Sequence, residues 1–320
     1  MMNALDLQRL IKIYREAIIM PEQRFFTFFD DFVFKWIFGR RGNERLLLKL
    51  LNELLHFKDD DCIVSLTLLN PFNLQESRRA KLSIVDVKAC DGRDRQFTIE
   101  VQATSQPAFI NRALYYLAKL YSSQLKNHDD YGILRPAFGV NLLNFVLFPD
   151  HENIQSTYSF QEKNSHDLLS NAMELHFIEV PKLALSRERC LQSRFEKWLH
   201  VLKNGEQFGS GKEPLDELSS EEDMVMAVEE LKKINADDEM RAFLEDCEKA
   251  RRDELSARNA ARREGLEKGL EEGFEKGRLF LIRKLLSAGI DAAQIAQSLN
   301  LPVEDIEKLR GDEGGNPVKI

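Results

Sequence analysis

The chain has 320 residues, 43% of them hydrophobic and 31% charged, with 21 Phe; this supports a sizeable core in about two domains and excludes global disorder or a collagen-like repeat. The formal net charge of −8 is concentrated, because Glu213–Asp246 carries 13 acidic against 3 basic residues and leaves 40 acidic and 42 basic elsewhere; a polyanionic partner is therefore not excluded. Cys62, Cys90, Cys190 and Cys247 have no CxxC or CxxxxH spacing, which argues against a disulfide scaffold or a zinc ribbon.

Leu7, Leu10, Ile11 and Tyr14 recur at helical spacing. Phe32, Trp36 and the run Leu46–Leu55 do so again after a break at Gly39–Gly42, so residues 1–57 read as helical. The first turns carry Asp6, Arg9, Lys12, Arg15 and Glu16 in place of a signal peptide's apolar block. The run Val140–Phe148 is short and broken by Asn141 and Asn144, which leaves no membrane span. The expected setting is the reducing cytoplasm, with no membrane partner. Three strand-like runs follow the helices: Ile63–Leu69, Lys81–Lys88 and Gln96–Ala103. Ala108–Leu125 reads as an amphipathic helix with Ile110, Leu114, Leu117 and Tyr121 on its apolar face. Phe138–Phe148 suits a buried strand, and His176–Val180, stopped by Pro181, a last one. An α/β domain is expected over residues 1–205. Gly205–Gly211 reads as a linker into an acidic and helical segment, 206–260, and a third region spans 261–320.

The sharpest local feature is the hairpin around Asp91-Gly92. Alternation puts Leu82, Ile84, Asp86 and Lys88 on one face of the first strand and Thr98, Glu100 and Gln102 on one face of the second. A two-residue turn on Asp91-Gly92 would set Asp86 against Phe97, whereas a five-residue loop, Asp91–Arg95, symmetric about Arg93, sets Asp86 directly opposite Glu100. Two carboxylates about 5 Å apart repel by roughly 3 kcal/mol at an effective dielectric near 20. A hard divalent cation, Mg²⁺ or Mn²⁺, would convert that repulsion into a binding site. The alternatives are that both side chains project into water, or that Lys88 and Arg95 neutralise them.

The pattern Val85-Asp86-Val87 … Phe97-Thr98-Ile99-Glu100-Val101-Gln102 resembles the core of PD-(D/E)XK nucleases, and within that superfamily the recombination-promoting nuclease and transposase branch. That branch places Gln where the wider motif has Lys, as at Gln102. Upstream, Asp31-Phe32-Val33-Phe34-Lys35, Ile37-Phe38-Gly39 and the Leu-rich run follow the branch's signature. Downstream, Arg112, Tyr115-Tyr116, Leu120-Tyr121 and Tyr131 through Pro136 keep its order. The similarity covers about Asp31–Lys182.

The resemblance implies a restriction-endonuclease-like α/β core, a mixed sheet flanked by helices, with a helical C-terminal extension. It implies a metal-dependent endonuclease acting on DNA in recombination, mobile-element upkeep or phage defence, with Asp86, Glu100 and the Val101 carbonyl as ligands to Mg²⁺ or Mn²⁺. Gln102 would orient the attacking water or hold a phosphate oxygen, but carries no positive charge. Asp31 would add an acidic group from the first helix, its other role being a helix N-cap. Arg112, Tyr116 and Lys119 share a stripe; Arg112 and Lys119 are candidates for the DNA backbone, and an exposed polar flank is the plainer reading. RNA cleavage, and a catalytically inactive relative that binds nucleic acid or protein as a regulatory module, are the rival functions.

Glycines recur every four residues at 265, 269, 273 and 277 among Glu, Lys, Leu and Phe. This reads as a self-associating helix, and so a route to a homodimer, or as a flexible spacer. Asp291–Leu299 and Val303–Leu309 then form two short helices, with Asp291 as a cap and Pro302 in a first turn. Their spacing resembles a helix-turn-helix. Glu304, Asp305 and Glu307 favour a protein-docking bundle over DNA reading.

Overall fold

The computed structural model describes residues 25–71, 87–183 and 191–311. It divides into two compact units, up to Glu245 and from Asp246 onward. In the first unit, helices α1 (Asp31–Phe38) and α2 (Glu44–Leu54) precede strands β1 (Leu66–Leu68), β2 (Val87–Asp91) and β3 (Gln96–Gln102). Helix α3 (Phe109–Ser122) leads to β4 (Ala137–Leu143), β5 (Gln155–Gln161) and β6 (Leu168–Glu179). Helices α4 (Arg194–Lys203), α5 (Gly205–Gly209) and α6 (Glu222–Ala236) follow, and α7 (Asp238–Ser287) begins at the end of this unit.

The described strands form one mixed sheet in the order β1-β2-β3-β4-β6-β5. β3, β4 and β6 are mutually parallel, while β1 and β2 on one side and β5 on the other run antiparallel to their neighbours. β3 and β4 lie at the centre and bury both faces, which is why β4 reads as an unbroken apolar run. One face carries Phe97, Ile99, Val101, Phe138, Val140 and Leu142 into the main core, with α1, α2, α4 and α6. The other face carries Ala137, Leu143, Leu175 and Phe177 against α3.

Several expectations change here. The residues that α3 buries are Phe109, Ala113, Leu117 and Leu120; Ile110 and Leu114 face solvent. Two apolar stripes compete on this helix. The one led by Phe109 wins because its ring meets Phe145 and Phe177 edge-on, with centroids 6.2 and 6.0 Å away. β5 and the first half of β6 were not legible as strands, because they are largely exposed and mostly polar.

Gly205–Gly211 is not a linker. α5 occupies Gly205–Gly209 and buries Phe208. Its glycines serve close approach: a Cβ on Gly205 would lie 3.1 Å from Phe28 Cδ2, and one on Gly209 would lie 2.9 Å from Asn235 Nδ2. The acidic segment likewise folds into the first unit. α6 buries Met224, Ala227, Val228, Leu231 and Ile234. Asn235 clamps the Phe26 backbone, accepting from its N–H at 2.8 Å and donating to its carbonyl at 3.0 Å. Arg194 of α4 pairs with Glu53, Glu221 and Asp223, so part of the acidity is internal salt-bridging.

In the second unit the glycine repeat lies within the continuous helix α7, not in a spacer. Ion pairs at i,i+4 such as Glu264–Lys268 (2.7 Å) run along it, and Leu266, Leu270 and Phe274 are exposed. α8 (Ala292–Leu299) and α9 (Val303–Gly311) close a small core of Ile282, Ala292, Ile295, Ala296 and Ile306. Asp291 caps α8 by accepting from the Ala293 N–H at 3.1 Å, as its position suggested. Among the described residues no helix is long and apolar enough to cross a membrane.

Candidate active site

The β2–β3 hairpin has the register that symmetry about Arg93 requires: Val87 pairs with Ile99, Lys88 with Thr98, Ala89 with Phe97 and Cys90 with Gln96. The turn is fixed by Asp91, whose Oδ1 accepts from the Arg93 and Arg95 N–H groups at 2.9 Å each. Arg95 Nε returns to Asp91 Oδ2 at 2.7 Å, and the guanidinium covers the Phe57 ring. Arg95 is thus committed to the turn and does not neutralise Glu100. Lys88 forms no ion pair among the described residues. Asp86 lies outside the described residues, as do the first five residues of the strand expected over Lys81–Lys88.

Thr98, Glu100 and Gln102 form a row on the α3 face of β3, and all three are buried, Glu100 to 3% exposure. Glu100 Oε1 accepts from Gln102 Nε2 at 2.8 Å and from Arg112 Nη2 at 2.8 Å. The guanidinium is forked, since Arg112 Nη1 donates to Gln106 Oε1 at 2.6 Å. Arg112 Nε and Thr98 Oγ1 are buried with no hydrogen-bond partner among the described residues. Arg112 is therefore at the site, but its partner is the carboxylate. Lys119 is exposed on the same helix, 5.9 Å from the Tyr115 ring centroid; Tyr116 is half-buried beside Tyr115.

Main-chain direction alternates along β3. The Gln96 N–H donates to Pro136 and the Gln102 carbonyl accepts from Asn144, both at 2.9 Å, so even-numbered residues address the β4 side. Odd-numbered residues address β2. The Val101 carbonyl consequently points toward the β2 side, beyond Val87, next to the Glu100 side chain in sequence.

Asp31 does not occupy the N-cap. That position is Asp30, whose side chain turns back to accept from the Thr27 N–H at 2.6 Å, and Asp31 is the first residue of α1. A carboxylate there suits the helix dipole. Four residues on, Lys35 is only 4% exposed, on the helix that packs against β3. A buried lysine is exceptional without a partner, and Lys35 has one. The sequence presented Lys35 only as part of a signature; its burial inside an otherwise apolar helix face carries no separate sequence signal.

The remaining candidates are structural. The Cys90 thiol is pushed up by burial, then by Asp94 and Asp91, as suits an inert side chain. His176 is buried with Nδ1 near Thr157 Oγ1 (3.0 Å) and Gln155 Nε2 (3.2 Å). Among the described residues no group of three or more His, Cys, Asp or Glu gathers as a metal cluster. The Glu100 carboxylate and the Gln102 side chain do meet, at 2.8 Å, and a carboxylate, an amide oxygen and a strand carbonyl are hard oxygen ligands of the kind Mg²⁺ and Mn²⁺ take. A buried carboxylate that accepts from side chains able to rotate away fits such an ion.

A mixed sheet with a β-hairpin leading into a parallel β–α–β crossover, flanked by helices and bearing Glu100 and Gln102 on its central strand, defines the restriction-endonuclease-like α/β class. The chain belongs to the PD-(D/E)XK nuclease family transposases, whose family model matches residues 28–261. No curated protein and no solved structure shows significant similarity to it.

Proposed function

We propose that the protein is a divalent-metal-dependent DNA endonuclease that hydrolyses phosphodiester bonds, serving recombination, mobile elements or phage defence. The observation that carries this reading is Glu100: a carboxylate buried on the central strand, two residues before Gln102, in a hairpin whose described pairs are symmetric about Arg93. Asp86, Glu100 and the Val101 carbonyl would hold Mg²⁺ or Mn²⁺. When bound, the ion activates water and stabilises charge on the scissile phosphate. Gln102 can present its amide to the water or to a phosphate oxygen while remaining hydrogen-bonded to Glu100. Arg112 and Lys119 supply positive charge along α3 for the DNA backbone, and Asp31 adds an acidic group from α1. Wild-type protein with Mg²⁺ or Mn²⁺ should nick plasmid DNA, and Asp86→Ala or Glu100→Ala should abolish nicking. Equal nicking by all three proteins refutes the assignment.

A second reading is a relative that binds nucleic acid or protein without cleaving. It is supported by Gln102 in place of a lysine and by the ion pair Arg112 makes with Glu100. It predicts DNA retention in EDTA and no turnover with any divalent metal.

A further inference from the structure

We infer that Arg112 is a latch on the candidate site: its guanidinium holds Glu100 Oε1, and a divalent cation takes that oxygen only by displacing it. The inference rests on the reading of Glu100 as a metal ligand and adds a control over that ligand from α3.

Three observations carry it. Arg112 Nη2 and Gln102 Nε2 converge at 2.8 Å on the same oxygen of Glu100, so donors already occupy the lone pairs of Oε1 that a cation bridging both carboxylate oxygens would need. The fork has two stations, since Nη1 donates at 2.6 Å to Gln106 in the loop between β3 and α3. That geometry fixes the guanidinium plane, as a lysine's single ammonium cannot. The third is that the hold is incomplete. Arg112 Nε is buried without a hydrogen-bond partner among the described residues, although the side chain is 29% exposed. A donor is thus left over, and release to solvent or to a phosphate oxygen satisfies it.

The consequence is an exchange. With no cation, Arg112 neutralises the buried carboxylate. When Glu100 turns to a cation, the guanidinium is freed beside it, on a helix with no acidic residue between Phe109 and Ser122, where a backbone phosphate is its natural acceptor. Closure of the site without metal and capture of the phosphodiester with metal are then two positions of one side chain.

The test is Mn²⁺ titration by calorimetry, without DNA, on the full chain as wild type, Glu100→Gln, Arg112→Met and Arg112→Lys, each checked for native far-ultraviolet circular dichroism. The latch predicts that Arg112→Met binds Mn²⁺ about tenfold more tightly than wild type, as expected from losing a competing charge-assisted bond. Arg112→Lys should also bind more tightly, because it keeps the charge and loses the fork. A lysine variant that matches wild type while the methionine variant tightens would show through-space charge alone and overturn the latch. Unchanged or weaker binding in both Arg112 variants overturns it outright. Should wild type and Glu100→Gln bind Mn²⁺ alike, the ligand role of Glu100 itself fails, and the latch with it. As an independent readout, Mn²⁺ should raise the melting temperature of Arg112→Met more than that of wild type, since binding to the variant displaces no guanidinium from Glu100.

Discussion

Two buried glutamates on the same face of the sheet have opposite characters. Glu179, at the end of β6, is fully buried. Its Oε1 accepts from the Leu147 and Phe148 N–H groups at 2.6 and 2.9 Å, and its Oε2 from Lys182 Nζ at 2.7 Å. Lys182 in turn donates to the carbonyls of Phe148, His151 and Asn153. Glu100, on β3, accepts from two side chains, Gln102 and Arg112. Backbone donors cannot leave without unfolding the loop that carries them, whereas side chains can rotate away. Burial of a carboxylate thus does not distinguish a structural staple from a reactive site; the mobility of its partners does.

The contrast is broken most severely at Glu179. Glu179→Ala should cost about 3–5 kcal/mol, because it strands Lys182 and two buried N–H groups. Glu100→Gln should cost no more than about 1–2 kcal/mol while removing nuclease activity. Urea denaturation beside a nicking assay reads both, and a reversed order of stability losses would erase the distinction.

The sequence disclosed Glu100 and concealed Glu179 for a physical reason. Strand alternation, the Asp-Gly turn and loop symmetry are local, so counting reduced the register of β2 and β3 to two choices, and the observed pairs obey the one set by the five-residue loop. Glu179 takes its meaning from Leu147 and Phe148, some thirty residues away, which local pattern does not bring together. The rotation of α3 was misjudged for the same reason: Phe109 and Ile110 are equally apolar, and the tertiary partners Phe145 and Phe177 decide between them. The glycines of α5 suggested flexibility, although they serve close packing against Phe28 and Asn235. The acidic run suggested a linker because its charges dominate the composition, while one apolar stripe of α6 joins the core.

Smaller changes sharpen the comparison. Gly139 of β4 pairs with Thr98 and with Leu175, between the two glutamate-bearing strands, and a Cβ there would lie 2.8 Å from Leu175 Cδ1. Gly139→Val should destabilise by about 1–3 kcal/mol through overpacking under α3, measured by thermal melting. In the second unit the sign reverses. A Cβ at Gly269 of α7 meets nothing within 4 Å, so Gly269→Ala should stabilise the helix by about 1 kcal/mol, seen as greater helical dichroism on heating.

The smallest effect concerns pH. His200 is depressed below its ordinary value of 6.5 by burial and then by Lys203. Its folded form resists protonation, so its contribution is intact above about pH 6.5 and is lost as the pH falls through the lowered folded value. Urea midpoints at pH 7.5 and 5.5 should differ less for His200→Gln than for wild type.

The most direct measurement is an anomalous difference map from crystals soaked in Mn²⁺. The account predicts a peak within ligand distance of a Glu100 carboxylate oxygen, with Asp86 and the Val101 carbonyl completing the set and Arg112 turned away from Glu100. A map with no peak there, and Arg112 still bonded to Glu100 at saturating Mn²⁺, would contradict it.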